Sequence, residues 1–177
     1  TSLSNFFKQF DVKIVKVEKI QTHGGSLRIF IKKDKNAKVD KSVKNMIKEE
    51  KRFGIEDFRT YERFAKNVYK IKKNVVKNIN KLKKDNKLIV GYGAPAKATT
   101  ALNFFGIKNK INYIIEDNKL KHNKFIPGMN IPIYSKTKIS KMKPTILVLA
   151  WNFFNEIKEN NSELSDNFIN IKSLQNK

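Results

Sequence analysis

The stretch Leu88-Ile89-Val90-Gly91-Tyr92-Gly93-Ala94-Pro95-Ala96-Lys97 constrains the fold more than any other part of the chain: an apolar run breaks into a glycine turn. A helical run, Ala98 to Phe105, follows and is closed by Gly106. A strand feeding such a turn and then a helix leaves free backbone N–H groups at the helix N-terminus. The helix dipole favours negative charge there, so the position suits a phosphate or another anion. Gly91 and Gly93 carry no side chain that would block close approach of a ligand to the backbone. Pro95 suits a helix start, where its missing N–H costs nothing. Tight packing of strand on helix also produces such turns without any ligand, so the residues that follow carry the argument.

A second apolar run, Ile111 to Ile115, ends in the acidic pair Glu116 and Asp117. The step from Gly93 to Glu116 is close to the ~20 residues that separate a dinucleotide-type turn from its ribose-binding carboxylate. Asp117-Asn118 reads equally as a turn. Two more strand-like runs follow, Ile131 to Tyr134 and Thr145 to Ala150. Trp151-Asn152 then opens a helix with Phe153, Phe154 and Ile157 at helical spacing, and Asn152 is its expected N-cap. A last run, Phe168 to Ile171, completes the alternation. Strands alternating with helices imply a parallel sheet covered on both faces. Residues 86–177 therefore read as a Rossmann-like α/β domain of about five strands, with ligands at the C-terminal strand edges.

Upstream, Ser2 to Phe10 forms an expected short helix with Leu3, Phe6, Phe7 and Phe10 on one face. Val12 to Ile20 and Leu27 to Ile31 are strand-like, with Leu27, Ile29 and Ile31 alternating against Arg28 and Phe30. His23-Gly24-Gly25-Ser26 supplies the turn of a β-hairpin. His23 is a candidate for acid–base work or for holding a substrate group, because an unperturbed imidazole titrates near pH ~6.5; a purely local role in the turn fits as well. His122 stands in a lysine-rich loop and reads as solvated. Two helices bridge the hairpin and the α/β block. Val39, Val43, Met46, Ile47 and Phe53 lie at helical spacing before Gly54. From near Glu56, Phe58, Tyr61, Phe64, Val68, Ile71, Val75, Ile79 and Leu82 mark one long amphipathic helix, roughly 40 Å at ~1.5 Å per residue. Its stripe suits packing against its own domains, with self-association as the alternative.

The motif Gly91-Tyr92-Gly93-Ala94-Pro95-Ala96-Lys97, followed by Leu102-Asn103 and Gly106-Ile107, resembles the C-terminal domain of SAM-dependent sugar C-methyltransferases. The resemblance continues through Ile111-Asn112-Tyr113-Ile114-Ile115-Glu116, Phe125-Ile126-Pro127-Gly128-Met129-Asn130-Ile131-Pro132-Ile133 and Trp151-Asn152. Upstream it takes in Thr22-His23-Gly24-Gly25-Ser26-Leu27-Arg28, so it spans nearly the whole chain. Ala98 and Thr99 depart from the family's Gly and Asn or Thr, and Glu116 from its more usual Asp.

The resemblance implies a parent that adds a methyl group to a carbon of a nucleotide-linked keto-deoxysugar. A cysteine-rich zinc domain and a central SAM-binding domain would precede the domain seen here. With no Cys, this chain has no thiolate zinc ligand. It has no glycine-rich SAM loop, and the family's catalytic Tyr-His-Glu-His run is expected just before Thr1. The chain is therefore expected to be a fragment without methyltransferase activity or bound SAM of its own. Residues 1–33 would be the tail of the SAM domain, 34–85 a helical connector and 86–177 the C-terminal domain. The substrate-binding residues implied are Gly91, Tyr92, Gly93, Ala94, Pro95, Lys97, Glu116, Pro127, Gly128, Trp151 and Asn152. The partners implied are a nucleotide-linked sugar and the missing SAM-binding domain.

Two other classes compete: a stand-alone nucleotide-binding or regulatory module without catalysis, and a basic nucleic-acid binder. The net charge of +22, from 38 Lys+Arg against 16 Asp+Glu, favours the last. Against it, only Arg28, Arg52, Arg59 and Arg63 are arginines, and Arg is the side chain shaped for bidentate recognition. The lysines are spread over every segment beside abundant Ile, Asn and Phe, as A/T-rich codon usage produces. The charge would still steer an anionic substrate. No apolar run approaches the ~18 residues of a membrane span and no signal peptide is visible, which with the absence of Cys points to a cytoplasmic protein.

Overall fold

The structure is a computed structural model and describes residues 1–84, 88–139 and 143–176, with only the backbone of His23. The chain divides into two units, Thr1–Lys66 and Asn67–Lys177. The sequence-derived boundary at residues 85 and 86 lies outside the described residues.

In the first unit, helix α1 (Ser2–Phe7) passes into a 3₁₀ turn at Lys8–Phe10, so the expected single helix changes pitch after one and a half turns. Strands β1 (Lys13–Ile20) and β2 (Ser26–Lys32) pair antiparallel, with an irregularity between Ile14 and Lys16. The hairpin turn is a 3₁₀ turn at Thr22–Gly24 followed by Gly25, and Gly24 and Gly25 take φ of +91° and +117°. Helix α2 (Lys41–Phe53) starts at Asp40, whose carboxylate accepts from the Ser42 N–H, and stops at Gly54 in the left-handed conformation. It is tied to β1 by the Val17 N–H donating to Ser42 Oγ at 3.1 Å, and it buries Val43.

Helix α3 (Phe58–Lys84) has the length that the stripe from Phe58 to Leu82 predicts. Asp57 accepts from the Arg59 N–H at its start. Its second half belongs to the second unit, where Val75 and Ile79 are fully buried.

The second unit is built on one parallel sheet. Its strands are β3 (Ile89–Tyr92), β4 (Tyr113–Ile115), β5 (Ile133–Tyr134), β6 (Thr145–Val148) and β7 (Phe168–Asn170), in the order β5-β4-β3-β6-β7. Helix α4 (Ala96–Phe105) follows β3, and α5 (Phe154–Glu159) follows β6. The centre of the sheet is buried on both faces, as its unbroken apolar runs require. Ile89, Ile114, Leu147 and Leu149 pack with Val75 and Ile79 of α3 and with Ala98 and Leu102 of α4. Val90, Tyr92, Ile115, Ile146 and Val148 pack on the opposite face with Phe154, Ile157 and Phe168.

Three elements are shorter or different from the sequence expectation. Asn112 spends its side chain accepting from the Ile89 N–H, so β4 begins at Tyr113 rather than Ile111. Ile131 and Pro132 pair back on Ile126 and Phe125, which leaves β5 only Ile133 and Tyr134. Asn152 does not cap a helix: it lies inside a 3₁₀ turn, Trp151–Phe153, held by Phe153 N–H donating to Ala150 O, and α5 starts at Phe154 without a side-chain cap.

Candidate functional site

Strand β3 is the first strand of the sheet in chain order, and its neighbours are β4 on one side and β6 on the other. The connections leaving β3 and β6 run to opposite sides of the sheet order, so the C-terminal ends of these two strands form the topological switch point. The glycine turn stands there. Gly93 donates its N–H to Ile115 O at 2.8 Å and has φ of +85°. A Cβ on Gly93 would meet the Ala150 Cβ, just past β6, at 2.9 Å. The turn thus touches the ends of both neighbouring strands.

The two glycines differ in kind. Gly91 lies inside β3, and a Cβ there would sit 2.7 Å from Ile114 Cγ1 and 3.0 Å from Leu149 Cδ1. Core packing explains Gly91, whereas Gly93 needs its glycine for a left-handed backbone beside β6.

Glu116, at the end of β4, is turned back onto this loop. Its Oε2 accepts from the Ala94 N–H at 2.8 Å and from Lys121 Nζ at 3.1 Å, and its Oε1 from the Asn118 N–H at 3.1 Å. Burial opposes its charge, but the two amides and the ammonium outweigh that, and the carboxyl is held below its ordinary value. The carboxylate therefore already serves as an anchor for the turn, with limited acceptor capacity left for a sugar hydroxyl. Lys121 also donates to Ala94 O at 3.1 Å. His122 is not simply solvated: its Nε2 lies 2.7 Å from Glu116 O, which it caps as a donor.

Tyr92, only 2 % exposed, points to the opposite sheet face. Its hydroxyl donates to Asp117 Oδ2 at 2.9 Å, with Asn161 Oδ1 at 3.2 Å as a second acceptor. Lys136 Nζ closes the group by reaching Asn161 Oδ1 at 2.7 Å and Asp117 Oδ1 at 2.8 Å. Burial pushes the Tyr92 phenol up, and Asp117 adds to the effect. The pKa of Lys136 is raised as well: burial lowers it, but Asp117 and Tyr92 more than offset that.

Pro95 caps α4 in an extended conformation. Lys97, in the first turn of α4, holds its Nζ over Trp151 at 4.5 Å from the ring centroid. The structure thus gathers Gly93, Ala94, Pro95, Lys97, Glu116 and Trp151 at one strand edge. Pro127 and Gly128 lie elsewhere along α4: Asn103 Nδ2 donates to Pro127 O at 3.3 Å, and a Cβ on Gly128 would meet Asn103 Oδ1 at 3.3 Å. Asn152 is exposed in its 3₁₀ turn. The side chain of His23 lies outside the described residues. Lys121, Lys136 and Asn161 were not legible beforehand, since nothing separates them by type or spacing from the other lysines and asparagines of their loops.

A parallel α/β domain with a glycine turn at its switch point belongs to the Rossmann-like class. Within that class the sequence profile described as "C-methyltransferase C-terminal domain" matches residues 21–170. The chain is 31% identical over 169 residues to the C-methyltransferase NovU of Streptomyces niveus, an alignment that covers 94% of this chain and 40% of that relative. The chain belongs to the C-methyltransferase C-terminal domain family. It spans less than half the length of the relative it matches. Among the described residues no helix is long and apolar enough to cross a membrane.

Proposed function

We propose that this chain works as the C-terminal part of a SAM-dependent C-methyltransferase and helps hold a nucleotide-linked sugar at the Gly91–Lys97 turn. The observation that carries the reading is the position of this turn at the switch point, beside Lys97, Lys121 and Trp151. Cations at a strand edge suit phosphate oxygens. They do not suit the sulfonium of SAM, so SAM belongs to another part of the intact enzyme and no chemical step is assigned to this chain. Its residues bind and orient. Gly93 lets the backbone come close, Lys97 supplies charge, and Glu116 fixes the loop while offering its remaining acceptor position to a sugar hydroxyl. Residues 1–33 would be the tail of the SAM-binding domain itself, and residues 34–85 would link that domain to the C-terminal one.

Trp151 is the only tryptophan of the chain, so its emission reports this site directly. Titration with a nucleotide-linked sugar is expected to change that emission saturably, while SAM changes nothing. Saturable SAM binding with no response to the sugar nucleotide would refute the reading.

A further inference from the structure

The second unit carries opposite charge on the two faces of its sheet. Helix α3 covers one face, and every exposed residue from Lys70 to Lys84 is a lysine: Lys70, Lys73, Lys77, Lys81 and Lys84. Steps of three and four residues set them in one row, about 21 Å long at ~1.5 Å per residue. No Asp or Glu occurs from Arg63 to Lys84. Helix α5 covers the opposite face and leads into the 3₁₀ turn Ser162–Leu164. There Glu156, Glu159 and Glu163 are exposed, again at steps of three and four. From Pro144 to Ile171 these three and Asp166 are the acids, and Lys158 is the only cation. Asp166 is paired with Lys143 at 2.7 Å. Among the described residues no ion pair or side-chain hydrogen bond engages Lys70, Lys73, Lys77, Glu156, Glu159 or Glu163.

A/T-rich codons favour lysine over arginine, but they do not sort lysine onto one face of a sheet and glutamate onto the other. Like charges three and four residues apart destabilise a helix, and opposite charge laid along the lysine row relieves that. Each row also begins beside an exposed aromatic ring. Tyr69, 60% exposed, precedes Lys70 and packs on Phe104 with centroids 6.2 Å apart. Phe153, 58% exposed, precedes α5. Along the lysine row, Tyr69, Val76 and Asn80 line a groove of about 800 Å³. Charge complementarity selects which surfaces meet, and the aromatic area adds to the contact.

We infer that the two rows are the two sides of one contact between copies of this chain: the lysine row of α3 on one copy receives the glutamate row of α5 on the next. The two surfaces differ, so the contact is heterologous, and each added copy leaves one row free for another. A membrane fits the lysine row less well, because its exposed positions are all charged and give a bilayer no apolar anchor. At physiological ionic strength the Debye length is ~8 Å, so the distant positive charge of each copy is screened while the facing rows are not.

Sedimentation of the whole chain over a concentration series tests the contact, with the melting temperature as a check on folding. The mass should grow with concentration past the dimer. Raising the salt from ~0.15 M to ~1 M should weaken association, since the Debye length falls to ~3 Å. Lys73→Glu with Lys77→Glu, and separately Glu159→Lys with Glu163→Lys, should each weaken it at least about tenfold, because two attractions become two repulsions. An equal mixture of the two double variants should restore association, since each then meets the opposite sign. Lys44→Glu with Lys48→Glu makes the same change of net charge on exposed α2 and should associate no less than the unaltered chain. Net repulsion alone predicts a gain in both lysine variants. A chain that stays monomeric overturns the inference. So does association that survives both double variants or rises with salt, as the bare apolar face of the first unit would give. Loss in the Lys73/Lys77 variant without rescue in the mixture overturns it too, and leaves the lysine row to a different polyanion.

Discussion

The two halves of α3 carry the same apolar spacing and meet opposite fates. In the second unit Val75 and Ile79 are wholly buried against the sheet and α4. In the first unit Phe58 and Phe64 stay 75% and 67% exposed. The contrast extends to whole units. Around the parallel sheet, apolar side chains fill both faces, whereas Phe6, Phe10, Leu27, Ile31 and Phe53 of the first unit stand exposed and, among its described residues, Val43 is the one buried apolar side chain. An amphipathic pattern states which face is apolar; what covers that face is a property of the tertiary fold. The second unit supplies its own cover. The rest of the SAM-binding domain, packed on the first unit in the intact enzyme, would account for its bare face, and this is part of the function proposed above.

The largest effect is expected where burial is complete. Ile79→Ala removes a fully buried side chain from the core shared by α3 and the sheet. It should destabilise the second unit by about 2–5 kcal/mol. Hydrogen exchange would check this region by region: the β3 and β6 amides should lose protection while those of β1 and β2 keep theirs. Equal loss in both units would break the comparison, because it would mean that they unfold as one.

Next come two turn glycines, Gly93 after β3 and Gly24 in the hairpin of the first unit. Gly93→Val forces a β-branched residue into φ of +85° and drives its Cβ onto Ala150. Strain of this kind costs of order 1–3 kcal/mol. Gly24→Ala imposes positive φ as well, but a Cβ there meets nothing within 4 Å, so its cost should be the smaller of the two in thermal melts. A larger cost at Gly24 would show that the hairpin turn is packed, contrary to the bare first unit.

Much of this architecture was legible. Strict runs such as Ile89–Val90 and Thr145–Val148 announced a doubly covered parallel sheet, and Gly54 and Gly106 marked helix ends because both take the left-handed conformation. What was not legible depended on contacts far apart in sequence. Nothing in Asn112 shows that its side chain will accept from Ile89 and shorten β4, and nothing in Asn152 shows that the chain will tighten into a 3₁₀ turn instead of being capped. Gly91 and Gly93 look alike in sequence, yet the neighbours that distinguish them are Ile114, Leu149 and Ala150. The residues gathered at the strand edge were mostly foreseen; the bonds that already occupy Glu116 and Tyr92 were not.

Glu116 offers a pH test confined to the second unit. Its carboxyl is held below the ordinary 4.5 in the folded chain, so the anion stabilises the fold at neutral pH. That contribution should be complete above the ordinary value and should fade as the pH falls through the depressed folded value. Glu116→Gln should therefore flatten the acid limb of the melting curve below about pH 4.5. Glu116→Ala leaves the Ala94 amide without its acceptor and should cost about 1–3 kcal/mol. An unchanged acid limb in Glu116→Gln would mean that the loop does not depend on this anchor.

The smallest effect is expected on the exposed half of α3, and it bears most directly on what an apolar stripe means. Phe64→Ser replaces a ring that is largely in water already, so little transfer free energy is at stake in the chain by itself. Surface changes of this kind stay within about 0.5 kcal/mol. The melting temperature should hold, and the variant should stay in solution at higher concentration than the unaltered chain, because the exposed ring invites association. A loss of 2 kcal/mol or more, as large as that expected for a buried ring or aliphatic group, would show that Phe64 is covered in solution. Sedimentation would then separate the two sources of cover. A concentration-dependent loss assigns it to a second copy, and a concentration-independent loss to the chain itself, in which case the two halves of α3 would no longer differ.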